Sequence, residues 1–430
     1  MQVARMLRTA APLLVGLGFL SCSHAQPLPS SVKEKARGYV NTLAGPDMHG
    51  RGYVLEGDKI AADWIGQQFD RLGLAKLKEQ RFEPFTFPVN TFPDSVRLSI
   101  DGRALIPGVD FLVDPASGLS TGEFTIVHLL PEDLFSPERK ALTMGVVTGN
   151  AAYLDLPSTN NRDTLGLYHA FEEEVARYAP IIRKAHGKLT WSVAGAHKRN
   201  AIVEVKPEFL TDSSRTMELR VRNTFIPRHP ARNVFGVVEA KGGSKDWIVV
   251  SAHYDHLGHM GPDVIFPGAN DNASGMSMLL CLAEEIKKNP LKKNVLFIAF
   301  AGEEAGLQGS TWCVTDRPID LSRISMMVNL DLNGTGEEGI TVVNSTAQQK
   351  FFDKLTAINA KDNLLVNVKA RGPACNSDHC PFVEKGVPAV FIYTMGGISA
   401  YHDVFDKPET LPLTEFDDLF RLLLEGLKSI

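Results

Sequence analysis

From Asn233 to the C-terminus, apolar runs of strand length alternate with stretches of helical periodicity, and few architectures accommodate that rhythm. The runs are Asn233 to Glu239, Trp247 to His253, Asn294 to Ala301, Met326 to Leu332 and Ala389 to Tyr393. Between them, Met276, Leu279, Leu280, Ala283 and Ile286 recur at the spacing of one helix face. The alternation predicts a three-layer α/β/α sandwich, with helices on both faces of a mainly parallel mixed sheet. In such sheets, sites assemble in the loops beyond the carboxyl ends of the strands.

At 430 residues the chain exceeds one average domain, which points to two structural units. Residues 26–86 read as a helical part of the main domain, with helices over Val32 to Ala44 and Asp58 to Leu72. In the second of these, Ile60, Ala61, Trp64, Ile65 and Phe69 share a face. Over residues 87–224 the texture changes to short β-type runs broken by Pro, Gly and Asp, with one helical segment near His169 to Arg183. This reads as a β-rich insert, and residues 225–430 as the main domain. A hydrophobic content of 44% with 22% charged residues fits a soluble protein with a real core rather than a disordered one. A formal charge of -5 and the lack of a long Lys/Arg run leave no electrostatic footprint for nucleic acid.

Arg5 and Arg8 precede an apolar run from Ala10 to Leu20, and Ser23-His24-Ala25 supplies small residues where a signal peptidase reads. Residues 1–25 are therefore expected to be a signal peptide, and the protein to be periplasmic or secreted. The competing expectation is a lipid anchor at Cys22, within Leu20-Ser21-Cys22. No transmembrane helix is expected after processing. In an oxidising compartment the close pair Cys375 and Cys380 can bridge a loop, whereas Cys281 and Cys313 look like buried small hydrophobes.

The strand ends carry the chemistry. The first, Trp247 to Ala252, runs into His253-Tyr254-Asp255, so a metal-binding imidazole would have a carboxylate beside it to orient its ring. The small-residue loop Pro267 to Gly275 places Asp271 just before a helix, where it either caps that helix or bridges two metals. A third strand ends in Glu303-Glu304; Glu304 can bind metal while Glu303 moves protons, unless the pair is simply a solvated helix start. Asp331 emerges from another strand as a terminal ligand, and His402 completes the set. His379 competes with His402, and His256 and His259 with His253; singly, any of these is more simply a hydrogen-bonded core histidine.

The ordered segments HYDHLG, GANDNASG, FAGEEAGLQGS, NLDLNG, SDHCPF and YHD resemble the co-catalytic zinc exopeptidases, a family that includes bacterial leucyl aminopeptidases and, more distantly, glutamate carboxypeptidase and glutaminyl cyclase. The resemblance covers about Asn233 to Thr410, with a weaker echo at Asp47 to Gly52. It implies two zinc ions per chain: His253 and Asp331 on one, Glu304 and His402 on the other, and Asp271 bridging. It also implies Glu303 as general base, Asp255 as the partner of His253, and removal of N-terminal residues from peptide substrates by a water held between the zincs. Mixed imidazole and carboxylate ligands would accept cobalt or manganese as well. Alternatives within the resemblance are a carboxypeptidase or dipeptidase, and a glutaminyl cyclase, against which His253 counts. A non-catalytic binding protein is the remaining option. The insert is similar in position and texture to the protease-associated domain of many such enzymes.

Overall fold

In the computed structural model, which describes residues 31–134 and 137–430, each apolar run has become a strand whose successive side chains serve opposite layers. The main sheet contains β1 (Phe82–Thr91), β2 (Thr224–Val238), β3 (Trp247–His253), β4 (Asn294–Phe300), β5 (Ile324–Leu330), β6 (Ile340–Val343), β7 (Val368–Ala370) and β8 (Ala389–Thr394), in the spatial order β1-β2-β4-β3-β5-β8-β6-β7. The central strands β4, β3, β5 and β8 are parallel, whereas β1, β2 and β6 pair antiparallel to their neighbours toward the core. Ile248, Val250, Val295 and Phe297 face one layer, built from the helices Val32–Leu43, Gly57–Arg71, Gly275–Lys288 and Phe416–Lys428. Val249, Leu296, Ile298 and Phe300 face the other, under the helices Gln308–Asp316 and His379–Glu384. This is the expected α/β/α sandwich. Ser31 caps the first helix in a reciprocal box with Glu34, which satisfies two of the otherwise orphaned N–H groups at its start.

β1 and β2 form the stem of an excursion. Their pairing runs from Phe82↔Val234 to Thr91↔Thr224, so Phe87, expected to open the insert, still lies on the main sheet opposite His229. The second sheet has eight strands, all between Arg97 and Val221. Its centre is parallel, running from Ser120–Leu129 through Ala151–Leu154 and Ile181–Lys184 to Ile202–Val205. The helical segment expected near His169 to Arg183 lies earlier, at Arg162–Val175, and Ile181–Lys184 is a strand. Pro180 separates the two, since its missing N–H and fixed φ cannot continue a helix. A further helix spans Pro137–Val147. The expected signal peptide and Cys22 lie outside the described residues. Among the described residues no helix is long and apolar enough to cross a membrane.

Candidate metal centre

Because β3, β4 and β5 run parallel, their carboxyl ends open on one edge, where His253 closes β3 itself and the loops after β4 and β5 deliver Glu303 with Glu304 and Asp331 to the same place. Asp271 arrives from the turn before the helix Gly275–Lys288, and His402 from the loop after β8. His253 Nε2 lies 3.3 Å from Asp271 Oδ1 and 3.4 Å from Asp331 Oδ1. His402 Nε2 lies 3.0 Å from Asp271 Oδ2 and 3.3 Å from Glu304 Oε2. The two oxygens of Asp271 thus face different imidazoles. Glu303 closes the group: its carboxylate comes within 4.8 Å of ligand atoms on His253 and Asp331. The structure therefore brings together His253, Asp271, Glu303, Glu304, Asp331 and His402.

The Asp271 turn shows why the loop is made of small residues. Gly268 takes φ +62°, and a Cβ there would stand 2.1 Å from the Asp271 carbonyl, 2.4 Å from His256 and 2.6 Å from Arg51. Asp271 does not cap the helix; the N–H of its first residue, Gly275, is instead accepted by Asn272 Oδ1 at 2.9 Å, which leaves the Asp271 carboxylate free to point into the cluster. Asp406 holds the turn from behind, accepting the N–H groups of Asn270 and Asp271 at 2.8 and 3.0 Å. Arg51, fully buried, donates to the carbonyls of Leu43, Tyr254, Pro267, Gly268 and Asp271, which ties the Asp47 to Gly52 segment to the site.

Asp255 acts differently from the expectation. His253 Nδ1 meets the Asp255 backbone carbonyl at 3.1 Å, while the carboxylate stands 3.9 Å away. That carboxylate instead accepts from Glu303 N–H (3.1 Å), Glu304 N–H (3.2 Å) and the Tyr53 hydroxyl (2.6 Å). Backbone N–H groups just past a strand have lost their ladder partners, and burial demands that they find others. Asp255 thus shapes the loop that carries the glutamate pair. His256 also has a supporting place: its Nδ1 meets Glu304 Oε1 at 2.7 Å, so that Glu304 turns its other oxygen to His402. His259 lies against His49, with rings 5.6 Å apart, and His379 packs on Phe391 at 5.6 Å; neither has joined the cluster.

Further supports escape sequence reasoning. The Ser377 hydroxyl donates to Asp331 Oδ2 at 3.1 Å and accepts from Asn329 Nδ2 at 2.8 Å, within the loop closed by the Cys375–Cys380 disulfide. Cys281 and Cys313 are free and buried. The second sheet's region contributes a strap: Trp191 exchanges two bonds with His402, N–H to carbonyl and carbonyl to Nδ1, both at 2.8 Å. Trp191 is itself anchored by its indole N–H on the Val113 carbonyl and by stacking on Phe266. Lys188 binds the carbonyls of Ser399 and Tyr401 and pairs with Asp403 at 2.5 Å. Ser377 stands inside a quoted motif, but nothing in the sequence points to Trp191 or Lys188.

The electrostatics demand positive charge here. Burial, the strongest influence on Glu303, holds its carboxyl well above the usual range, with Asp378, Glu304 and Asp331 adding to the effect against the pull of His253. Burial disfavours the His402 cation, yet Glu304 and Asp271 lift its pKa to about 10. His253 is likewise raised well above normal, burial being outweighed by Asp331 and Glu303. For Asp271 burial again disfavours the anion, but hydrogen bonds from His253 and His402 hold it well below the carboxylate range. Buried Asp331 Oδ1 has no hydrogen-bond partner among the described residues. Such a free lone pair, in a ring of carboxylates that draws protons onto two imidazoles, fits a cation. The nitrogen and oxygen donors are those zinc takes.

Residues 233–427 match the model of peptidase family M28. Aminopeptidase YwaD of Bacillus subtilis (strain 168) is 29% identical over 203 residues, covering 46% of this chain and 43% of the relative. A probable leucine aminopeptidase of Trichophyton verrucosum (strain HKI 0517) is 33% identical over 169 residues, 35% of this chain and 43% of the relative. The chain thus spans under half the length of the curated relatives it matches. A solved structure of BSAP, a zinc aminopeptidase from Bacillus subtilis, superposes with a TM-score of 0.69 at 20% identity, over 94% of this chain and 96% of that one, a likeness of fold. Through residues 233–427, a little under half of the chain, the sequence is similar to peptidase family M28, whose model it matches there.

Proposed function

We propose that this protein is an exported aminopeptidase that uses two zinc ions to remove N-terminal residues from peptides. The observation that carries the reading is Asp271, whose two oxygens address the His253 and His402 imidazoles separately, the disposition a bridging carboxylate needs. His253 and Asp331 would hold one ion, and Glu304 and His402 the other. Both imidazoles have their outer nitrogens tied to carbonyls, which fixes the tautomer that leaves Nε2 free for metal. Zinc bound there would supply Lewis-acid polarisation of the scissile carbonyl and acidify water. Glu303, partly buried and free of a ligand's duty, takes the proton from the attacking water and delivers it to the leaving amine nitrogen. The relatives named as aminopeptidases support the choice of terminus, and the Cys375–Cys380 disulfide supports export, since such bridges persist in oxidising compartments.

The test is Glu303→Gln. It should retain both zincs and lose about 10²- to 10⁴-fold in kcat on a free-amine peptide, the range general acid–base catalysis supplies. N-blocked versions of the same peptide should resist the wild type. Near-normal turnover by the variant, or equal cleavage of blocked peptides, would overturn the assignment.

A further inference from the structure

Beside the cluster lies a cavity of about 180 Å³, walled by Leu332, Phe391, Tyr393, Asn376 and Tyr401, and it contains a cation that the hydrolytic chemistry does not use. Arg371 directly follows β7, and it is the one Lys or Arg among the described residues lining the cavity. Its backbone is pinned: the N–H donates to the Val342 carbonyl at 3.0 Å, and its own carbonyl accepts from Ser345 N–H at 3.2 Å and Ser345 Oγ at 3.1 Å. The side chain is exposed, and its guanidinium makes a single long bond, Nη1 to the Tyr393 hydroxyl at 3.3 Å. No carboxylate among the described residues pairs with it, although the other charged groups of the same cavity wall are acids or imidazoles. A guanidinium presents five donors in a planar fork that matches a carboxylate, so most of this fork is unspent.

We propose that Arg371 is a specificity determinant that receives a carboxylate carried by the substrate close to the scissile bond. The proposal rests on the aminopeptidase reading above and narrows its substrate class. Two parts of a peptide can present that group beside the centre: an acidic side chain on the N-terminal residue, or the C-terminal carboxylate of a dipeptide. Leu332 and Phe391 supply apolar walls for the methylene portion of either.

The full chain, loaded with zinc, is assayed on two matched pairs: Glu- against Gln-nitroanilide for the side-chain source, and Leu-Gly against Leu-Gly-amide for the terminal one. In the pair that reports the true source, the wild type should favour the carboxylate-bearing member. Arg371→Gln should lower that kcat/KM ratio by about 10- to 100-fold, the range expected for a hydrogen bond between charged groups. Arg371→Lys should recover part of the ratio, which a merely structural loss would not. Ratios that are unchanged by Arg371→Gln in both pairs, or a wild type with no preference for a carboxylate, overturn the proposal. Calorimetric binding of Leu-Gly, Leu-Gly-amide, Glu-amide and Gln-amide to the Glu303→Gln protein reads Arg371 independently of turnover. If no substrate is cleaved but this binding still favours the carboxylate and loses the preference in Glu303→Gln/Arg371→Gln, the hydrolytic reading fails while the Arg371 assignment stands.

Discussion

Replacing Lys188 with Met removes the strap's charge while keeping most of its length, and it separates two kinds of cost. Lys188 is 40% exposed, so solvent screens its 2.5 Å pair with Asp403 and the pair contributes at most about 1 kcal/mol to folding. A loss of that size in a chain this long moves Tm by under about 2 °C. The larger effect falls on the loop that carries His402. Lys188 also holds the carbonyls of Ser399 and Tyr401, and without it the backbone of Trp191 is left to orient the imidazole. Removing a group that positions a metal ligand costs about 10- to 100-fold in metal affinity. Lys188→Met should therefore release the zinc proposed at His402 about 10- to 100-fold more readily to a chelating dye, while the other proposed ion and the melting curve hardly change. Wild-type affinity for both ions would refute the claim that the second sheet's region positions the centre. So would a Tm loss well above 5 °C, because the residue would then be a structural support.

Ser377→Ala removes the donor to Asp331 Oδ2. It should weaken the zinc on the His253 side by about 10-fold in the same dye competition, with the other ion unaffected. A pH-dependent stability term comes from Glu83, whose carboxyl is pushed up to about 7 by burial, only partly offset by its bond from Asn233. Its folded pKa lies above the unfolded value of 4.5, so its stabilising effect is complete below about pH 4.5 and disappears as pH rises through 7. Glu83→Gln should thus gain Tm over the wild type at pH 8 relative to pH 5, by an amount corresponding to about 2–3 kcal/mol at most. An identical Tm difference at both pH values would show that Glu83 does not carry this linkage.

The central strands could be read in advance because each is an unbroken apolar run bounded by Gly, Pro or charge, as Trp247–His253 and Asn294–Phe300 are. β6 and β7 span four and three residues, too short for a periodicity to declare itself. β1 contains Pro84 and Pro88, which argue against a strand in sequence but are tolerated at the sheet edge it occupies. The site follows the same logic. His253, Glu304 and Asp331 were readable because each stands at or just beyond the end of an apolar strand, so that topology alone brings them together. Their supports were not: Trp191 is 211 residues from His402 in sequence, and it acts through its backbone, which carries no residue signature. The Asp255 role shows the same limit, since which of its groups faces His253 is decided by the backbone N–H groups of Glu303 and Glu304.

Zinc content per chain tests the two-ion centre most directly, measured by mass spectrometry on the purified protein and on Asp271→Ala. The geometry predicts about two ions per wild-type chain and a marked loss in the variant, because Asp271 faces both imidazoles. A single zinc in the wild type, or a full complement in Asp271→Ala, would contradict a centre bridged by that carboxylate.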